Sequence, residues 1–586
     1  MTPEATKDAR SRPPKGLAKQ DELEAALREK RSVAGTTFEL VNLLERPLGG
    51  AELGGATFVR LVLKGADLRG ASLRDARILR GWGQGACLDG ADLSGLVAMN
   101  VDLTGASFRG ANLEGAVLSG AKLDGADFSG AKLRGAKLAR ASLTKTAFAR
   151  ADLTQASLAH ADLTGGDLSG AILDATSLDG ATLEGASLRG ARLVRAQAAQ
   201  AKLTRVDFTD ATAEQCVFVQ ADLRGSRLPR ALRRCVLMEA VLAADGERVD
   251  LAGADLEGAI LAKQSLVGAD LRGAKLAGAL LSEADLTGAL FAGADLRRCV
   301  MSKATLREVD LGGQDLEMTL LMDADLRGAR LTGARLDRAM LQNSDLTGAD
   351  LTEAVVSKTS FRGATVDGAR FDRATLQLVD LGGMDLSVLG AAFEGLSLTK
   401  CCFMESKLAG MDLRGCDLTD SNFTRSDLTD ARLEQATLVR ATLLEANLER
   451  ANLAGAQAKS AFFGEARLVK TNVHESMLRY ATFTKARVEG SVLSACDLRE
   501  TVWLDAHVAD TTFAASRLVF ADLSRARLDR VDFTSADLTR ANVHDIAETD
   551  VVWDDANRTS SRETDPERHE AERWPVPAPP PRQEES

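Results

Sequence analysis

Residues 101–140 read VDLTG ASFRG ANLEG AVLSG AKLDG ADFSG AKLRG AKLAR, five-residue steps that each carry Leu or Phe at the centre. A small residue, mostly Ala, stands two places before the large one, and Asp, Asn, Ser, Thr, Lys or Arg lies between them. Working outward, the period persists over roughly five hundred residues, and self-similarity of this kind marks a stack of repeats in which each unit touches only its neighbours. Seventeen of the nineteen Phe fall on the large position, so size obeys the period as well as polarity. Five matches neither the helical period of 3.6 nor the strand period of 2.0. It calls for a chain that turns a corner every five residues, with the large and small residues both facing inward.

From Phe38 the large residue keeps one phase to Leu228, weakened but not shifted at Gly83, Ala98, Ala198 and Ala213. Two nine-residue steps follow, Leu228 to Leu237 and Leu242 to Leu251. A second phase runs from Leu251 to Leu386, a seven-residue step reaches Phe393, and a third phase fades near Trp553. The expected organisation is a disordered N-terminus over 1–16 and a short capping helix over 17–33, where Leu23 and Leu27 lie four apart. Repeat blocks then cover 34–230, 251–388 and 389–553, with a register break at 231–250. Residues 554–586 read as a disordered, Pro-rich tail with charges of both signs. Pro229 is the one proline that disturbs the array, and it sits at the first break.

The net charge of −11 is mild and spread out, and aromatics make up 4 %. Neither favours nucleic-acid binding, which uses clustered basic residues or stacking platforms. No apolar leader or membrane-length stretch is present, so the expected compartment is the cytoplasm, with export lacking a cleavable signal left open. Six of the eight Cys (Cys216, Cys235, Cys299, Cys401, Cys416, Cys496) occupy the small slot, as structural hydrophobes. Cys87 and Cys402 sit one place before the large residue. His160, His474, His507 and His544 take outward slots, and no pair has metal-ligand spacing. Neither a nucleophile elbow nor a phosphate-cradling loop occurs, and the many Gly fall in the last slot as corner residues. No metal, cofactor or catalytic residue is expected.

The motif A-[DNSTKR]-[LF]-x-[GAR] resembles the pentapeptide-repeat family over nearly all of the chain between Phe38 and Trp553. The resemblance implies an all-β fold, a right-handed quadrilateral β-helix with four steps and about twenty residues per coil. Some 25 coils at about 4.8 Å would give a rod of roughly 120 Å. Large residues would fill the axis and small ones the corners beside them.

With four steps per coil, residues twenty apart share a side. The residues just after the large position then give one distinctive side: Val59, Leu79, Met99, Ser119, Ala139, Ala159, Asp179, Ala199 and Val219. The preceding slot adds Val97, Val117 and Val217, and Val236 and Met238 flank Leu237. The pattern resumes as Ile260, Leu280, Val300, Leu320 and Met340, and weakens to Met404, Leu444, Phe462, Val502 and Leu504. If the nine-residue step after Leu242 and the seven-residue step after Leu386 each make one bulged side, these residues form one stripe, a candidate protein–protein surface. The expected function is a non-catalytic scaffold that binds protein partners through this apolar face; a homodimer is one arrangement it permits. Two alternatives come from the resemblance. One is a DNA mimic acting on a gyrase-like topoisomerase, using the side with Asp67, Asp127, Asp167 and Asp207. The other is an effector or accessory protein of a secretion system.

Overall fold

The computed structural model describes residues 20–244, 246–390 and 393–572. The expected disordered segment 1–16, the start of the capping helix and the end of the Pro-rich tail lie outside these residues. The chain winds a β-solenoid of about 26 turns, all of its strand pairing parallel and almost none of it helical. It divides into two units, Met1–Val300 and Met301–Ser586.

One step explains the rest. Around Leu113, Ala111 and Leu113 are fully buried while Asn112 is only half-buried. The Asn112 N–H donates to Ala91 O at 2.9 Å on one neighbouring coil, and the Leu113 N–H to Lys132 O at 2.7 Å on the other. The Ala116 N–H then donates to Leu113 O at 3.0 Å, closing a turn whose third residue, Gly115, has φ +67°. Positive φ at that place alone is the mark of a type II turn and favours glycine there. The polar slot is explained too. Asp152 Oδ1 accepts the Thr154 N–H at 3.0 Å and its hydroxyl at 2.5 Å, a local clamp that repeats along the ADLT steps.

In the first unit, bridges of twenty residues define four sides, for example Asp102↔Lys122, Ser107↔Asp127, Asn112↔Lys132 and Val117↔Lys137. Inside, Phe108, Phe128 and Phe148 stack with centroids 4.5 and 5.0 Å apart. Helix α1, Gln20–Arg28, buries Leu23 and Ala26. Gln20 Oε1 accepts the Asn42 N–H at 3.2 Å, and Glu24 pairs with Arg46 at 3.3 Å.

The first break differs from its sequence reading. Leu232 is buried and fills a core position between Leu228 and Leu237, so the apparent nine-residue step is two steps, the first one residue short. Leu228 is only half-buried, and Pro229 is buried beside it. Thr212↔Ala231 and Ala231↔Asp255 show the two unequal turns. Pairing therefore persists through 231–241, and the excess residues gather between Leu242 and Leu251.

In the second unit the seven-residue step contains a short 3-10 turn, Ser387–Leu389, and the register across it lengthens to Asp380↔Cys402. The ladder also runs past its expected end at 553: Asp532↔Val552, Asp537↔Asn557 and Asn542↔Arg562 add a further turn. Helix α2, Pro566–Glu572, follows it. The large slots here hold Arg558 and Glu563, which is why the hydrophobic period does not announce this turn.

Candidate interaction surface

The predicted stripe residues do share a side within each unit. In the first unit one column of bridges runs Arg77, Val97, Val117, Lys137, Ser157, Ser177, Gln197, Val217, Val236, Ile260, Leu280 and Val300. It passes the break without a lapse, because both irregular turns place their extra or missing residues at other corners. Val59, Leu79 and Met99, and later Val219 and Met238, lie two places further along the same side. Leu79 and Met99 are 51 % and 48 % exposed, Leu280 is 37 % exposed, and the other stripe residues of this unit are half-buried. The column also shows that the apolar residues form two patches rather than one strip. Lys137, Ser157, Ser177, Gln197 and Asp179 separate the Val59–Val117 group from the Val217–Val300 group.

In the second unit Leu320 bridges Met340, and the column continues through Ser360, Asp380, Cys402, Asn422 and Thr442 to Phe462, Thr482 and Val502. Leu320 is half-buried and Met340 is 43 % exposed. Met404, Leu444 and Leu504 sit two places beyond members of this column. Within the second unit Leu320 and Met340 form one apolar pair, and the later group is a separate patch.

That patch holds residues the sequence reading passed over. Tyr480 and Phe520 are exposed, and the exposed Met477 lies one side away, in the Gln457–Met477–Asp497 column. Tyr480 and Phe520 occupy the corner slot with φ +66° and +60°, where an aromatic residue is uncommon. Guanidinium groups lie over both rings, Arg479 at 4.6 Å from Tyr480 and Arg540 at 5.4 Å from Phe520. A signal was available, since Phe462 and Phe520 are the two phenylalanines out of phase with the period. In the first unit, Trp82 was likewise passed over and stands exposed one side away from Leu79.

The side with Asp67, Asp127, Asp167 and Asp207 stacks as expected, but its carboxylates are engaged. Asp67 pairs with Arg69 at 2.6 Å, Asp127 with Arg109 at 2.5 Å and Asp207 with Arg189 at 2.9 Å. The Arg69 guanidinium holds the Asp67 carboxyl down at about 2. Bonds from Thr209 and then Arg189 hold Asp207 at about 2 as well. The Asp167 carboxylate accepts only the Ser169 N–H, at 3.0 Å, among the described residues. A charge run with three of these four carboxylates paired to arginine does not copy the field of a nucleic-acid duplex.

The eight Cys are free thiols, six of them buried. Burial pushes Cys299, Cys401 and Cys496 up to about 12 and Cys416 up to about 11, the range of inert structural thiols. His160 and His507 are exposed. His544 corrects the outward assignment: it is buried, and its Nδ1 accepts the Asp565 N–H at 3.1 Å. The added turn after 553 covers it. Among the described residues no three His, Cys, Asp or Glu side chains gather as a metal site would require, and no helix is long and apolar enough to cross a membrane.

The description "pentapeptide repeats", in eight copies, fits residues 48–78, 99–135, 136–174, 173–205, 201–231, 247–282, 279–317, 319–357, 401–438, 426–464 and 509–545. Together these matches cover more than half of the chain. No curated protein sequence matches it. Among solved structures, HetL of the cyanobacterium Nostoc sp. PCC 7120, a pentapeptide repeat protein of heterocyst differentiation, is 29 % identical; the alignment covers 47 % of this chain and 89 % of HetL, with a TM-score of 0.18. QnrB1, a plasmid-mediated fluoroquinolone resistance protein, is 22 % identical over 35 % of this chain and 90 % of its own, with a TM-score of 0.19. Rfr23 of Cyanothece 51142 is 22 % identical over 27 % of this chain and 90 % of its own, with a TM-score of 0.16. Superpositions this poor carry no weight beside the repeat match and the twenty-residue ladder. On those two grounds the chain belongs to the pentapeptide-repeat family.

Proposed function

We propose that the protein is a non-catalytic interaction scaffold whose apolar patches, all on one side of each unit, bind protein partners. The observation that carries this reading is the uninterrupted ladder Val217–Val236–Ile260–Leu280–Val300. A solenoid wall has no need of apolar residues facing outward, and across an irregular turn the local chain geometry gives no reason to retain them. Such a run, flanked by Val219 and Met238, is the kind of surface that marks a partner site. The cytoplasm is the compartment this reading assumes.

The test is a variant with Leu280→Glu, Leu320→Glu and Met340→Glu. All three side chains point outward, so circular dichroism and thermal unfolding should match the parent protein. Self-association by sedimentation velocity, or capture of partners by cross-linking in the native cell, should be lost. Unchanged sedimentation together with an unchanged set of cross-linked proteins would remove the support for this surface.

A further inference from the structure

We propose that the wall of the first unit is open around one corner at the register break, and that the part of this opening between residues 227–229 and 250–252 accepts an extended segment of a partner protein bearing an acidic side chain. On this side Asp207 bridges Arg227, and Asp250 bridges Asp270, yet no bridge joins Arg227 to Asp250. In a regular turn the large residue's N–H reaches the next coil, as Leu188 does to Asp207 O at 2.9 Å and Phe208 to Arg227 O at 3.1 Å. Among the described residues the Leu228 N–H finds no acceptor, nor does that of Asp250. Pro229 has no N–H to offer. Of the two adjoining sides, Ala231↔Asp255 closes one, while among the described residues no bridge joins Val241 to Ser265 on the other; Val236↔Ile260 closes the opposite side.

Two sequence features produce the lapse. The step before Leu232 is one residue short, and the step from Leu242 to Leu251 is four residues too long, so the coil edges separate at this corner. The opening is a cavity of about 730 Å³, within the range of peptide and small-ligand sites. Backbone donors and acceptors on both edges are what an added β-strand pairs with.

The charges favour an acidic side chain on that strand. Arg227, Arg230 and Arg248 line the cavity, and among the described residues none of them forms an ion pair, although Arg109 and Arg189 on the same side do. Arg230 Nη1 only reaches Ala252 O at 3.3 Å. The cavity also holds Asp210, Glu247 and Asp250. Two of these carboxylates already accept backbone N–H groups, Asp250 from Ala252 at 3.0 Å and Glu247 from Ala244 at 3.4 Å. Among the described residues no guanidinium pairs with any of these three carboxylates, which leaves the cations to an incoming carboxylate, with bidentate geometry available to them. This site lies on a different side from the apolar patches and stands or falls independently of them.

The experiment pans a phage-displayed random heptapeptide library against the full-length protein, with two variants as controls. One deletes residues 244–247, restoring a five-residue step and closing the wall; the other is Arg230→Glu. A selected peptide is synthesised with its ordinary backbone and with alternate amides N-methylated. The proposal expects acidic, alternating sequences, and deuterium-exchange protection of 225–231 and 249–253 on binding. It also expects binding at least about tenfold weaker for either variant and for the methylated peptide. No enrichment over the deletion variant, or equal affinity of the methylated peptide, would overturn it. Should the deletion variant fail to fold by circular dichroism, Arg230→Glu and the methylated peptide decide the outcome.

Discussion

The Trp503 indole lies flat on the Phe483 ring, centroids 4.0 Å apart and planes 8° from parallel, although twenty residues separate them. Phe463 continues the stack on the far side of Phe483 at 4.7 Å, and the Trp503 Nε1 donates to Thr501 Oγ1 at 3.0 Å. Trp503 is buried on the axis, where no water can replace it. Trp503→Ala should cost about 3–5 kcal/mol and Trp503→Phe less than about 1.5 kcal/mol, because the phenylalanine keeps the stack and most of the volume. Native-state hydrogen exchange of the adjoining coils measures both; equal costs would mean that stacking is not what the axis depends on.

The axis has one thin place. Gly83 and Ala98 both occupy large slots, and together with Leu63, Leu93 and Leu103 they border an apolar cavity of about 20 Å³. Ala98→Val should fill part of it and stabilise this region by about 0.5–1 kcal/mol, in the manner of other cavity-filling changes. Slower exchange of the amides around 81–103 is the expected result, and faster exchange would show that the space is already optimally packed.

Buried thiols held protonated do not react with disulfide reagents. Under native conditions at pH 8, dithionitrobenzoate should label the half-buried Cys87 and Cys402 and spare the buried Cys235, Cys299, Cys401, Cys416 and Cys496 until the chain unfolds. Peptide mapping of the labelled protein checks this. Rapid native labelling of Cys299 or Cys496 would contradict the buried small-slot assignment.

Acid should loosen the structure in a defined window. Asp67 and Asp270 are held at about 2 by hydrogen bonds from Arg69 and Arg272, below the ordinary carboxylate value near 4 that each has when unfolded. Such groups stabilise the fold above pH 4, and their contribution drains away as pH falls toward 2. Thermal unfolding should therefore be flat from pH 8 to 5 and drop below about pH 4, with 1 M salt shrinking the drop because the pairs are exposed. A melting temperature unchanged down to pH 2 would show that the Asp–Arg clamps contribute nothing.

Much of this was legible without coordinates, and what was missed has a common cause. The phase of the large residue located the core, and the twenty-residue sorting put Ile260, Leu280 and Val300 in one column. Leu232 escaped because a four-residue step is invisible to a search for fives. The turn beyond 553 escaped because Arg558 and Glu563 replace the apolar residues that reveal a step. Tyr480 and Phe520 escaped because the corner slot was read as a place for Gly, Ala or Arg and not searched for exposed aromatics.

The sequence by itself determined the winding: a large residue every fifth place forces a corner at each step, since no other path buries all of them. It also determined which residues share a side wherever the step is regular. Only the tertiary structure decided how the irregular steps distribute their extra and missing residues among the corners. That choice depends on which coil edges can still pair across the gap, a relation between neighbouring turns that no single stretch of chain contains. It carried the apolar column across the break intact and left the wall open beside Arg227 and Asp250.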